Sequence, residues 1–270
     1  MPRILNARQD TKYKFPGIHF SESEFLSHKV LPTNLSYASW SGPVLDQGEF
    51  GSCVANGTAG LFYLFSNKHD QVKRIASRSA WYSQIENQLY PPAQDSGAES
   101  GDALLIWNQH GYVLESVRPY PADGNTKALL SPVIQSEWKT DYPVVSFSKL
   151  NNDILSIKKG MYSRGAALFG GTFATSWLSK TNKDGSLPVP DTVAGGHLWL
   201  NVGYSDTKTF IDDTSGLKSI GGFLSKNSWG ATYGIQPVGA ETSGYFWLPY
   251  YLWQYYPSFV PQDVYVATAN

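Results

Sequence analysis

A single cysteine is the first candidate for chemistry in this chain. Cys53 is the only cysteine among 270 residues and lies in the stretch DQGEFGSCVANGTAGLFYLF. Free cysteines are commonly buried and inert, which favours a role in the core. However, the preceding Gly48, Gly51 and Ser52 predict that Cys53 begins a helix. At that position free N–H groups and the helix dipole would lower the pKa of the thiol and favour a nucleophilic thiolate.

A nucleophilic cysteine also needs a base and a group that orients the base. The chain has five histidines: His19, His28, His69, His110 and His197. Of these, His197 opens a predicted strand after two glycines, in GGHLWLNVGYS, and Asn227 follows another apolar strand, in KNSWG. Taken singly, His197 could be a hydrogen-bonded core histidine and Asn227 a turn residue.

The elements that position these residues change character along the chain. Helical periodicity predicts four helices, at 52–65, 77–90, 102–109 and 151–164. Ser77 is the expected N-cap of the second helix and Gly111 the expected C-cap of the third. Beyond the fourth helix, short apolar or alternating runs bounded by Gly, Pro, Asn and Asp indicate strands. Helices followed by strands predict an α+β protein of two lobes.

Composition excludes several classes of function. Lys plus Arg number 21 against 22 Asp plus Glu, and the basic residues are scattered, so neither nucleic acid nor an anionic membrane is an expected partner. The N-terminal stretch lacks an apolar segment long enough for a signal peptide, and the chain has no run of about 18 apolar residues that could span a bilayer, so we expect neither a cleavable signal nor a membrane span. A single cysteine excludes an intramolecular disulfide. We expect a monomer without metal or cofactor, located in the cytoplasm or a virion.

Three segments in order resemble the papain family of cysteine proteases: DQGEFGSC, GGHLWLNVGY, and KNSWG followed by GYFWLPY. The likeness covers about residues 31–250, and His197 follows Cys53 within the roughly 130–150 residues typical of the family. It implies a papain-like two-lobed fold with the active-site cleft between the lobes. The helical lobe would span about 45–140, and an antiparallel β-barrel-like lobe about 141–270.

The resemblance also implies a role for each matching residue. Cys53 would be the nucleophile, His197 the base, and Asn227 the residue that orients the imidazole. Gln47 would donate to the oxyanion together with the Cys53 backbone N–H, and Trp229 would cover the His–Asn hydrogen bond. The implied reaction is peptide hydrolysis through an acyl-enzyme intermediate.

Four further residues are implied in substrate binding, with a peptide or protein as the partner. Backbone groups of Ser96 and Gly97 would hold the substrate as an extended strand. Gly170 and Gly195 would leave room for a bulky apolar side chain two residues before the cut bond.

Departures from the family pattern raise two questions. Phe50, Val54, Asn56 and Tyr233 replace residues common in relatives and leave the packing behind the nucleophile open. The segment DTKTFIDDTSGLKSIG is expected to be an enlarged loop between paired strands. Residues 1–30 precede the family-like region, and we expect this extension to cover part of the cleft.

Two alternatives to an active endopeptidase carry weight. One is a catalytically silent papain-like binding protein, but such proteins commonly lack the cysteine or histidine, and both are present here. The other is an acyl transferase that uses the same Cys–His pair, which the asparagine of the NSWG motif disfavours.

Overall fold

The computed structural model describes residues 5–8, 30–142, 144–179 and 181–269. Its helices are α1 (Cys53–Asp70), α2 (Arg78–Gln88), α3 (Asp102–His110), α4 (Thr126–Leu130), α5 (Ile154–Arg164) and α6 (Tyr251–Tyr255). Its strands are β1 (Asn34–Ser36), β2 (Val144–Lys149), β3 (Ala167–Ala174), β4 (Val193–Ile211), β5 (Lys218–Lys226), β6 (Tyr245–Pro249) and β7 (Asp263–Ala269). Short 3₁₀ turns lie at Ala38–Trp40, Gln135–Glu137, Thr175–Trp177 and Pro257–Phe259.

Helix α1 is the central element of the molecule. Its residues are buried from Cys53 through Asn67, so the helix packs on all sides along most of its length. Two glycines let it approach β4 closely. A Cβ at Gly57 would lie 2.3 Å from Cδ2 of Leu198, and one at Gly60 would lie 3.2 Å from Cδ2 of Leu200. This close contact brings the start of α1 to the strand that carries the candidate base.

The two predicted helix caps in the first half of the chain are confirmed, whereas α1 runs to Asp70, beyond its predicted end at residue 65. The Ser77 hydroxyl accepts a hydrogen bond from the Ala80 N–H at 3.0 Å and caps α2. Helix α3 ends at Gly111, whose φ of +86° is one that a residue with a Cβ rarely adopts. Short apolar stretches without clear periodicity, such as α4 and α6, were not predicted.

The strands form one antiparallel sheet with the order β2-β7-β3-β4-β5-β6, and β1 pairs with β4. The pairing of Leu200 with Lys226 places Asn227, the residue after β5, beside the part of β4 that contains His197. The segment expected to be a loop instead continues as paired strand, with Thr209 opposite Ile220.

The predicted α+β class is therefore confirmed, with one correction. The sheet is an open path among the described strands and does not close into a barrel. The division of the chain near residue 140 stays a prediction. Within the described ranges, no helix is both long and apolar enough to cross a membrane.

Candidate active site

Cys53 is the first residue of α1 and is fully buried. Burial raises the pKa of its thiol to about 11, while backbone groups of Leu198, Val54 and Asn6 act in the opposite direction. The expectation of a lowered pKa is therefore wrong for this conformation, because loss of hydration outweighs the helix terminus. With the pKa raised, the thiol is neutral at physiological pH and would ionise only near pH 11.

His197 and Asn227 meet where β4 and β5 lie side by side. Nε2 of His197 is 2.8 Å from Oδ1 of Asn227, and both side chains are buried. The backbone N–H of Ser228 donates to the same Oδ1 at 2.8 Å. Because an N–H only donates, the atom it meets must be the amide oxygen, so Nε2 of His197 carries the proton. Nδ1 is then the ring nitrogen able to accept a proton.

Aromatic rings enclose this histidine. Trp229 stacks on the His197 ring with centroids 4.9 Å apart and planes inclined by 30°. Phe173 meets the same ring edge to face, at 5.1 Å and 79°. The rings exclude water from the His–Asn hydrogen bond, which strengthens it. Sequence reasoning missed Phe173, whose only signal was its place in an apolar strand.

Gln47 is fully buried and its side-chain amide is held at both ends. Its Oε1 accepts a hydrogen bond from the Ser228 hydroxyl at 2.6 Å, and its Nε2 donates to the Phe50 carbonyl at 2.8 Å. Its backbone N–H also donates to the Ser228 carbonyl at 2.8 Å. These bonds fix the position and the orientation of the amide.

Ser228 links the two halves of the site. Its backbone N–H bonds to Asn227 and its hydroxyl to Gln47, so one residue orients both amides. Sequence reasoning gave Ser228 no role. Its position between Asn227 and Trp229 was the one signal that could have indicated it.

Residues 5–8 form an extended segment whose Asn6 backbone contacts the Cys53 thiol. The Ala7 N–H donates to the Gly196 carbonyl at 2.9 Å, and the Arg8 N–H donates to the Ala98 carbonyl at 2.8 Å. Gly196 belongs to β4, whereas Ala98 precedes α3, so the segment bonds to both sides of a cleft. Residues 9–29, the greater part of the predicted extension, lie outside the described residues.

The predicted substrate contacts of Ser96 and Gly97 stay a prediction, and in the free chain their backbone groups bond to residues of the chain itself. The Ser96 carbonyl accepts from the Arg8 guanidinium at 2.9 Å, but the Gly97 N–H donates to the Tyr82 hydroxyl at 3.1 Å. The residue that pairs with the extended segment is Ala98, one position later. Gly97 has another reason to be glycine, because a Cβ there would lie 2.0 Å from the Asn6 carbonyl oxygen.

The two glycines expected to open a pocket differ in their surroundings. A Cβ at Gly170 would lie 2.0 Å from the Ser100 hydroxyl oxygen, so the space there is already filled and that expectation is wrong. A Cβ at Gly195 would lie 2.8 Å from Cβ of Leu5, so Gly195 faces an apolar residue of the segment. A cavity of about 220 Å³ remains beside the segment, lined in part by Thr172 and Gly195.

The replacements around the nucleophile are accommodated. Val54 is fully buried in the core. Phe50 packs edge to face on Tyr120 at 5.9 Å, and Tyr233 packs in the same way on Trp229 at 5.0 Å. Among the residues that the structure describes, no group of three or more His, Cys, Asp or Glu side chains is placed to hold a metal ion.

No family model matches the chain. In sequence it is 27% identical over 229 residues to an uncharacterised peptidase C1-like protein of Acanthamoeba polyphaga mimivirus. That match covers 76% of this chain and 64% of the relative, so the chain spans less than two thirds of the viral protein.

Solved structures show the same fold. Xylellain, a cysteine protease from Xylella fastidiosa, matches with a TM-score of 0.71 and 24% identity over 98% of this chain and 95% of its own. Procathepsin B of Trypanosoma congolense matches with a TM-score of 0.72 and 16% identity, over 99% of this chain and 87% of its own. The chain therefore has the fold of these cysteine proteases, and in sequence it is similar to a viral peptidase C1-like protein.

Proposed function

We propose that the chain is a cysteine peptidase in which Cys53 is the nucleophile, His197 the base and Asn227 its orienting partner. The observation that carries this proposal is the enclosed His197–Asn227 hydrogen bond, in which the histidine keeps Nδ1 as its proton acceptor. The sulfur lies at the backbone of Leu198, directly after that histidine. A silent binding protein would have no need of this protonation pattern.

The reaction follows from these positions. His197 Nδ1 takes the thiol proton, and the Cys53 sulfur attacks the peptide carbonyl to form a C–S bond. The carbonyl oxygen becomes an oxyanion that the Gln47 amide and the Cys53 N–H stabilise. The imidazolium then protonates the leaving amine as the C–N bond breaks. Water, deprotonated by His197, attacks the acyl-enzyme, releases the carboxylic acid product and restores the thiol.

Residues 5–8 would hold this site in an inhibited form. The segment bonds to Gly196 and Ala98, the backbone groups that an extended substrate would use, and Leu5 lies against Gly195. Peptide substrate and segment therefore compete for one cleft. Leu5 also suggests that an apolar substrate side chain fits beside Gly195.

Covalent labelling tests the proposal. The full chain is incubated with a fluorogenic peptide, and separately with a peptide vinyl sulfone followed by intact-mass measurement. Because Cys53 is the only thiol in the chain, a single adduct shows that the Cys53 sulfur has reacted. We expect peptide hydrolysis and a single adduct, and the loss of both in His197→Ala.

Other outcomes identify the alternatives. Neither turnover nor adduct, both in the wild type and after deletion of residues 1–30, would indicate a binding protein. An added amine that captures most of the acyl group in place of water would indicate an acyl transferase. Either result would contradict the assignment as a peptidase.

Gln47→Ala tests the oxyanion role. Because the variant loses one of two donors to the developing charge, we expect kcat to fall about 10²- to 10³-fold with KM little changed. Steady-state kinetics with the same peptide measure this loss. The matched control is Gln236→Ala, at an exposed glutamine that bonds only locally to the Ala240 carbonyl. A Gln47→Ala variant with kcat within twofold of the wild type would remove Gln47 from the mechanism.

A further inference from the structure

A buried arginine lies behind the nucleophile. Arg78, the first residue of α2, is 9% exposed. Its Nη1 donates to the Asn56 side-chain oxygen and to the Asp46 carbonyl, each at 2.9 Å. Its Nη2 donates to a Glu115 carboxylate oxygen at 3.2 Å, and the guanidinium lies 4.0 Å from the centre of the Tyr120 ring. One side chain thus contacts the loop before Gln47 and the helix that begins at Cys53.

Arg78 determines which way the Asn56 amide faces. A guanidinium only donates, so it must meet the amide oxygen, and Nδ2 of Asn56 is turned the other way. That nitrogen donates to the Ser52 carbonyl at 3.0 Å and to the Ser52 hydroxyl at 3.1 Å. Ser52 directly precedes Cys53. The arginine therefore acts on the nucleophile's neighbour through a single intervening side chain.

The same hydrogen bonds continue to Gln47. The Tyr120 hydroxyl donates to the Gln47 carbonyl at 2.9 Å and lies 2.5 Å from the Ser52 hydroxyl. Since the tyrosine proton is used on Gln47, the serine is the donor in the short contact. Hydrogen bonds then run in one direction, from Asn56 through Ser52 and Tyr120 to Gln47.

The Ser52 hydroxyl does not cap α1. A serine at a helix N-cap commonly accepts a hydrogen bond from a backbone N–H in the first turn of its own helix. Ser52 accepts no hydrogen bond from a backbone N–H of α1. Its hydroxyl instead joins Tyr120 to Asn56, which ties the start of α1 to the loop of Gln47.

We propose that Arg78 is a positioning residue that sets the distance between the two oxyanion donors, the Gln47 amide and the Cys53 N–H. The inference rests on the proposed function, and Arg78 itself touches no substrate. It holds the Asp46 carbonyl next to Gln47 on one side and Asn56 on the other. A largely buried ion pair such as Arg78–Glu115 adds little stability over well-packed apolar residues. Its geometric effect is therefore the property to test.

The test variant is Arg78→Met combined with Glu115→Gln, so that no buried carboxylate is left without its cation. We expect kcat to fall about 100-fold at saturating peptide in the full chain, with KM little changed, because a displacement near 1 Å has that effect on positioned groups. At saturation the peptide has displaced residues 5–8, so their competition appears in KM and not in kcat. Arg74→Met is the matched control, since Arg74 pairs with Asp70 at the far end of α1.

A second variant breaks the same series of hydrogen bonds at another residue. Tyr120→Phe keeps the ring that faces Arg78 and removes the hydroxyl that bonds to Gln47 and Ser52. We expect Tyr120→Phe to lower kcat. When it is combined with the Arg78→Met and Glu115→Gln variant, the fold-loss of kcat should be smaller than the product of the two separate fold-losses, because both changes break one network. Arg78→Lys should recover little of the lost kcat, since an ammonium group lacks the planar set of donors with which the guanidinium bonds to several acceptors at once.

Two reagents separate positioning from general damage. A peptide aldehyde and the thiol form a tetrahedral hemithioacetal whose oxygen lies at the position of the oxyanion and bonds to both donors, whereas iodoacetamide alkylates the Cys53 thiolate without placing an oxygen there. We expect the inhibition constant of the aldehyde to rise by about the factor by which kcat falls. The rate constant for alkylation of Cys53 should stay within twofold of the wild-type value at each pH.

Two results would overturn the inference. One is an unchanged kcat in the folded variants. The other is a parallel loss of aldehyde binding and alkylation, which would mark a structural role only. A wild type that neither hydrolyses peptide nor binds the aldehyde would overturn the proposed function and this inference with it, whereas an active wild type with unaffected variants overturns the positioning role alone.

Discussion

We expect Cys53→Ala to lower the rate of peptide hydrolysis by about 10⁴-fold or more and to leave the fold intact. The rate falls because no other group in the site can form the acyl intermediate, and removal of a nucleophile commonly has an effect of this size. The fold persists because alanine fits within the fully buried space that the cysteine occupies. Initial rates with a fluorogenic peptide measure the loss.

The matched measurements for this variant separate binding from chemistry. Circular dichroism and thermal unfolding should match the wild type, and the variant should still bind uncleaved peptide with similar affinity. More than about one percent residual turnover would contradict the role of Cys53 as nucleophile.

Release of residues 5–8 from the cleft should raise the reactivity of Cys53 at neutral pH by about 100-fold. The buried thiol has a pKa of about 11. This value lies roughly two units above that of an ordinary thiol, so full rehydration would increase the thiolate fraction below pH 8 by about that factor. Loss of the Asn6 backbone contact, a contact that lowers the pKa, acts in the opposite direction but is the smaller effect. Burial favours the neutral thiol and so raises its pKa. Exposure to water lowers the pKa again and increases the thiolate fraction. Iodoacetamide alkylation followed by intact mass, measured against pH, gives the rate and its midpoint.

Ala7→Pro tests this in the full chain, because proline lacks the N–H that bonds to the Gly196 carbonyl. Ala7→Gly keeps that N–H and is the control. We expect Ala7→Pro to lower the apparent KM for peptide without changing kcat, and deletion of residues 1–30 to do so more strongly. If the deletion changed neither peptide turnover nor inhibitor affinity, the segment would have no inhibitory role.

Much of the fold was readable from local pattern. The first and second helices were predicted close to their observed starts, and the Ser77 and Gly111 caps were predicted correctly, because caps depend on a few neighbouring residues. Gly57 and Gly60 indicated a close packing partner, which the structure identifies as β4. What could not be predicted was the open sheet, since closure depends on which strands lie at its edges.

The candidate site shows the same limit at the level of single residues. Chain order and motifs indicated Cys53, His197, Asn227 and Gln47, and three of these four make hydrogen bonds within a buried cluster. The space at Gly170 was misjudged, because a missing side chain leaves room only where no distant residue fills it, and here Ser100 does.

The sequence by itself determined which residues are available for thiol chemistry and the α+β class of the fold, because both follow from residue type and local periodicity. The tertiary structure alone decided the protonation of the thiol and the orientation of the amides around it. Burial within the folded chain raises the pKa of the sulfur, and Ser228 orients two amides. Arg78 turns the Asn56 amide toward Ser52, the residue before Cys53. Hydration and hydrogen-bond direction depend on residues far apart in the chain, and only folding brings these together.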